Sequence, residues 1–209
     1  PLLANEADSI DGLQQLVNDF ATQMQTKMEQ MWAAKLGLST FNAPLWAELI
    51  SLMQQTSVDY TLFFRELSSL PDDIEPLTKS FYRDLSQGQG LAQRWSAWLA
   101  QWHSLLSSEA NSPVTNSLAG MTDTTIPRSR DDIAKQMKQV NPKYSLREWL
   151  LVPAYQQASQ GDYTLLRELQ AVMTNPYAEQ SQEVEEKYYR LKASEYFGVG
   201  GCSHLSCSS

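Results

Sequence analysis

Apolar side chains return every three or four positions along most of this chain, and nowhere do they alternate over a run long enough to make a strand. That period commits the chain to helices, and each helix must bury its apolar stripe against another. The expected fold class is therefore all-α, an irregular multi-helix bundle. The first stripe runs from about Ser9 to Leu36 through Ile10, Leu13, Val17, Phe20, Met24, Met28, Met31 and Trp32, with Asp8 or Ser9 as a cap and Gly37 as a stop. A second helix starts at Asn42-Ala43-Pro44 and carries Leu45, Leu49, Leu52 and Met53. A third, Asp59 to Leu70, stops before Pro71, and a fourth is expected from about Pro76 to Leu85. The fifth, roughly Leu91 to Ser107, aligns Trp95, Trp98, Leu99, Trp102 and Leu106.

Between Ser107 and Arg130 the composition shifts to Ser, Thr, Asn, Gly and Pro, which marks a linker. Beyond it Asp131 to Val140 reads as helical, and Asn141-Pro142-Lys143-Tyr144 as a turn. Ser145 is expected to cap a helix that Pro153 kinks or breaks near Trp149; Gly161 ends that helix and Asp162 caps the next, which runs to Asn175-Pro176. The resulting division is a helical region over 1–109, a linker over 110–129, a helical subdomain over 130–180 and an extended tail over 181–209.

Sixteen Lys and Arg stand against twenty-four Asp and Glu, and the basic residues are scattered. A net charge of −8 without a basic cluster excludes a nucleic-acid binder, since phosphate contacts need grouped cations. No apolar run approaches the roughly 18 residues of a membrane span. The opening Pro1-Leu2-Leu3 reads as part of a longer protein. Both cysteines, Cys202 and Cys207, lie in the last nine residues among serines, a setting that keeps sulfur for reactivity rather than packing.

Little else carries chemistry. The tryptophan stripe could stack bases or a cofactor, but the wide side of a helix packed into a core gives the same pattern. His103 has no ligand at metal spacing, and Cys202, His204 and Cys207 together lack a fourth zinc ligand. Gly198-Val199-Gly200-Gly201 has neither a strand before it nor a helix after it, so it is no phosphate loop. Asp72-Asp73, Asp131-Asp132 and Glu185-Glu186 read as solvated faces or first-turn dipole partners. No catalytic, nucleotide-binding or metal-binding residue is assigned within these residues.

Four ordered motifs go further: Asn141-Pro142-Lys143-Tyr144-Ser145-Leu146-Arg147, Gln160-Gly161-Asp162-Tyr163, Asn175-Pro176-Tyr177-Ala178-Glu179-Gln180 and Ser206-Cys207-Ser208-Ser209. With Lys35-Leu36-Gly37-Leu38 and the stretch from Val58-Asp59-Tyr60-Thr61 to Phe64-Arg65, they make the chain resemble the C-terminal part of the selenoprotein O family, pseudokinase-like protein adenylyltransferases. Trp149, Val152-Pro153 and Ala178 depart from the family pattern and suggest a subfamily.

The resemblance implies a helical C-terminal region of a protein-kinase-like fold. It also implies ATP with magnesium or manganese as cofactors, transfer of AMP to Ser, Thr or Tyr hydroxyls of protein substrates, and an upstream kinase-like lobe as partner. The nucleotide- and metal-binding residues of the family lie upstream, so none is carried onto this chain. Cys207 matches the terminal Cys or selenocysteine linked to redox control, which can pair with a cysteine of the upstream activation loop; a Cys202–Cys207 disulfide stays open. Family members are cytoplasmic in bacteria and mitochondrial in eukaryotes. A helical region built to pack on another lobe should expose an apolar patch, on the Met24–Met28–Trp32 stripe or the Trp95–Trp102 stripe. The other reading is a non-catalytic helical binding module whose tail thiols sense redox state.

Overall fold

A computed structural model describes residues 6–88, 90–110 and 128–197. Among the described residues there are eight α-helices: α1 (Glu6–Lys35), α2 (Ala43–Thr56), α3 (Tyr60–Leu67), α4 (Leu91–Ala110), α5 (Arg130–Val140), α6 (Glu148–Ser159), α7 (Thr164–Thr174) and α8 (Gln182–Tyr188). Among the described residues there is no strand, only one antiparallel bridge between Val58 and Phe81. The all-α expectation holds.

Local chemistry sets most boundaries. Asn42 accepts from the Leu45 amide at the start of α2, with Pro44 in the first turn. Asp59 accepts from the Leu62 amide at the start of α3. Ser129 and Asp132 form a reciprocal capping box on α5. α1 ends on Gly37, whose φ of +71° closes the helix; an added Cβ would stand 2.8 Å from Met137 Sδ, so α5 packs directly on this turn.

Three sequence readings are corrected. The stretch expected as a fourth α-helix is a 3-10 turn at Glu75–Ser80 and a second one at Leu85–Gln87. Phe81 between them is extended and bridges to Val58, so tertiary pairing overrides the helical spacing of Leu77, Phe81 and Leu85. Arg147, not Ser145, precedes α6, because the Ser145 hydroxyl instead accepts from Arg147 Nε; α6 then runs through Pro153 without ending. Residues 182–188 form α8 rather than extended tail, capped by Ser181, and Tyr188 and Tyr189 are buried.

Two hydrophobic cores result. The first surrounds Trp95, Trp98 and Trp102 of α4 with Leu45, Leu49, Leu52, Phe63, Leu67 and Leu77, and takes Ile133 and Met137 from α5. The second joins Tyr144, Trp149, Leu150, Ala154, Leu169, Val172, Tyr188 and Tyr189. α3 lies between them, giving Phe63, Phe64 and Leu67 to the first and Leu62 to the second.

The tryptophan stripe is core and leaves no exposed patch, against that alternative of the patch expectation. The longest run of exposed apolar residues lies on α1. Residues 10–27 face solvent on every side, including Ile10, Leu13, Leu16, Val17, Phe20 and Met24, while Met28 and Trp32 are half-buried and Trp32 stacks on Trp46.

Candidate functional site

The residues singled out for chemistry are placed in structural roles wherever they are described. Each tryptophan of the stripe donates its indole N–H into the core: Trp95 to the Thr56 hydroxyl, Trp98 to the Leu45 carbonyl and Trp102 to the Leu36 carbonyl, at 2.8–3.0 Å. The Trp102 bond satisfies a carbonyl left open where α1 ends. His103 Nε2 lies 2.8 Å from the Pro71 carbonyl, a structural contact. Asp72 pairs with Arg130, Asp132 caps α5, and Glu185 pairs with Lys143. Among the described residues no three His, Cys, Asp or Glu gather to hold a metal ion. Cys202, Cys207, His204 and the glycine run lie outside the described residues, as does most of the 110–129 linker.

What the structure does build is a polar clasp from the quoted motifs. The Asn141–Tyr144 turn sits on the Asn175–Gln180 turn: the Lys143 and Tyr144 amides both donate to the Pro176 carbonyl, at 2.8 and 3.0 Å. The Asn141 side chain donates to the Lys35 carbonyl and the Ser68 hydroxyl, and accepts from Lys35 Nζ. Buried Arg65 of α3 donates to the Lys138 and Asn141 carbonyls and to Glu179 at 2.6 Å. Lys143, also buried, reaches Glu179 at 2.5 Å and Glu185 at 2.6 Å. One fastener thereby joins α1, α3, α5, both turns and α8. Gln180 closes the end of α7 by donating to the Val172 and Asn175 carbonyls.

A second fastener lies deeper. Arg147 binds Asp59 through both terminal guanidinium nitrogens, and both side chains are buried. Asp59 is at the same time the cap of α3, so one carboxylate fixes a helix start and neutralises a cation. The Tyr82 hydroxyl accepts from the Lys192 amide and lies beside Asp59, and Tyr82 packs edge-on against Phe197. Glu66 takes a short hydrogen bond from the Tyr189 hydroxyl and pairs with Lys79.

The electrostatics follow from this pairing. Burial alone would raise the Glu179 carboxyl, but the hydrogen bonds and charges of Lys143 and Arg65 outweigh it and hold it at about 2. Burial lowers Lys143, and its two carboxylate partners reverse that and raise it. Burial pushes the Tyr189 phenol up, with Glu66 adding to it. These charges are spent on each other, so the clasp positions helices and offers no free base or nucleophile.

Glu179 gives the clasp a pH signature. Its folded value lies below the ordinary 4.5, so its stabilisation is full above pH 4.5 and is lost as pH falls from there toward 2. The side chain is 60% exposed, so screening keeps the effect modest. We expect the thermal midpoint of the Glu179→Gln protein to fall less steeply over that window than that of the parent. Parallel slopes in circular-dichroism melts would remove Glu179 from the pH dependence.

Sequence reasoning did not foresee these pairs. The signal available was the charge inside the motifs themselves: Asp59 and Arg65, Lys143 and Arg147, and Glu179 all fall within the quoted stretches.

A family model described as Protein adenylyltransferase SelO matches residues 7–174. A protein nucleotidyltransferase YdiU of Tolumonas auensis is 33% identical over 217 aligned positions, covering 100% of this chain and 37% of that protein. The YdiU proteins of Flavobacterium johnsoniae and Xanthomonas oryzae are 29% and 32% identical, covering 99% and 100% of the chain and 37% of each protein. The chain thus spans a little over a third of the length of the curated relatives it matches. Matched by the family model over most of its length, and aligned with YdiU proteins from end to end, the chain belongs to the SelO family.

Proposed function

We propose that these residues form the helical C-terminal region of a protein adenylyltransferase of kinase-like fold. The full protein transfers AMP from ATP, with magnesium or manganese, to Ser, Thr or Tyr hydroxyls of other proteins. One observation carries this reading: the whole chain aligns with about 37% of proteins named as protein nucleotidyltransferases. Five charged residues of its quoted motifs, Asp59, Arg65, Lys143, Arg147 and Glu179, are engaged with one another, which fits a scaffold better than a catalytic centre. The nucleotide and metal sites then belong to the remaining length, and the clasp holds the helices on which that part rests. The relatives named here are bacterial, and in a bacterium such an enzyme works in the cytoplasm.

Cys207 is assigned to redox control in this reading, with a cysteine elsewhere in the full protein, or Cys202, as its partner. A thiol that closes a disulfide under oxidation and reopens under reduction gives a reversible restraint on the catalytic part.

The test is to incubate the full-length protein with ATP labelled at the α-phosphate, with magnesium or manganese, across a series of reducing conditions. Labelled AMP on protein hydroxyls is the expected result. No transfer under any condition would leave a helical binding module instead. In the same protein Cys207→Ser should abolish the difference in gel mobility between oxidised and reduced samples. A difference that persists would move the redox assignment away from Cys207.

A further inference from the structure

α1 uses two faces for two purposes. At one residue per 100° of turn, Leu13, Val17, Phe20, Met24 and Met31 fall within an arc of about 60°, whereas Trp32 and Ala33 centre roughly 140° away. Ala33 is buried in the first core and Trp32 packs on Phe41 and Trp46, so at its C-terminal end that side of the helix faces this body. The other side continues over roughly 30 Å with no described residue covering it, and Phe20 keeps 62% of its surface exposed. An apolar band of this length marks a contact surface rather than scattered surface residues.

We propose that this band is the seam against which the remaining length of the full protein packs. The proposal rests on the reading that these residues are part of a longer family member. The occupant is argued from what is missing and from what the helix carries. The relatives hold nearly two thirds of their length outside the matched portion, which is ample chain to cover one helix. A membrane surface is a poor occupant, because Asp11 and Asp19 lie on the polar side where membrane-lying helices carry Lys and Arg. A second copy is the competing occupant: Leu13, Val17, Phe20, Met24, Lys27 and Met31 keep the 3–4 spacing of a helix pair, and protection that grows with protein concentration would report it.

Met24 and Met31 make the band measurable, since sulfoxide formation follows exposure. The full-length protein is treated with hydrogen peroxide at two protein concentrations, and each methionine is followed by peptide mapping. Met24 and Met31 should oxidise about tenfold more slowly than free methionine, equally at both concentrations. The double variant Leu13→Glu, Phe20→Glu should bring both to the free rate, while core residues Met53 and Met137 stay protected and report an intact body. Three results overturn the proposal: fast oxidation in the parent protein, protection that grows with concentration and so reports a second copy, or protection that survives the double variant. AMP transfer is read separately. A protein that labels but leaves α1 unprotected loses this seam alone, and one that protects α1 but never labels loses the adenylyltransferase reading alone.

Discussion

Replacing Trp98 by Ala should cost about 3–5 kcal/mol of folding stability, the range for deleting a fully buried aromatic side chain. Trp98 is 1% exposed at the centre of the first core, with Trp95, Trp102 and Phe63 at centroid separations of 6.0–6.1 Å. Its neighbours come from α3 and α4, whose other contacts hold them in place, so they cannot collapse far into the vacated space. The size of the cost tests that rigidity. Trp98→Phe separates the two contributions of the residue. It keeps most of the apolar volume and removes the hydrogen bond to the Leu45 carbonyl. That carbonyl sits in the first turn of α2 and keeps its helical partner, so about 1 kcal/mol is expected for the lost bond. Urea unfolding of the three proteins gives the comparison. A Trp98→Ala cost under about 1 kcal/mol would mean that the stripe is loosely packed, and the core reading of α4 would fail.

The same helix shows why some of the fold was legible in the sequence. A stripe of tryptophans at helical spacing has one inexpensive solution, burial against other helices, and Asn42, Asp59 and Gly37 announce helix ends by chemistry that acts within four residues. Reading failed where distant partners decide. Leu77, Phe81 and Leu85 have the spacing of an α-helix, yet Phe81 is drawn into a bridge with Val58, twenty-three residues earlier. α8 is only seven residues long, too short for periodicity to register, and what fixes it is the Ser181 cap together with burial of Tyr188. The clasp was half visible. Most of its members stand inside the motifs that carry the family resemblance, but Arg65 and Glu179 are 114 residues apart and nothing local pairs them. Those motif residues hold helices together, so a motif shared with enzymes did not by itself locate catalysis.

Breaking the deeper fastener should be the most costly single change in charge. Arg147→Met keeps the length of the side chain but leaves the Asp59 carboxylate without its cation, at a site where the two side chains are only 8% and 2% exposed. Removing one partner of a buried pair costs about 3–5 kcal/mol, because the remaining charge stays desolvated. Asp59→Asn should be costly for the mirrored reason, since Arg147 is then buried without an anion, although Asn can still cap α3. The double variant decides whether the cost belongs to the pair or to the separate residues. With both charges gone no ion is stranded, and the double should be more stable than the sum of the singles predicts by about 2 kcal/mol or more. The consequence extends past the pair itself, because Asp59 also meets Tyr82, whose hydroxyl accepts from Lys192 and whose ring packs on Phe197. Loss of Arg147 should therefore raise amide exchange at Lys192 more than at Leu49 in the first core, which makes no contact with this fastener. Strict additivity in urea unfolding, or equal exchange at the two sites, would show that Asp59 and Arg147 stabilise the fold independently and do not tie residues 191–197 to it.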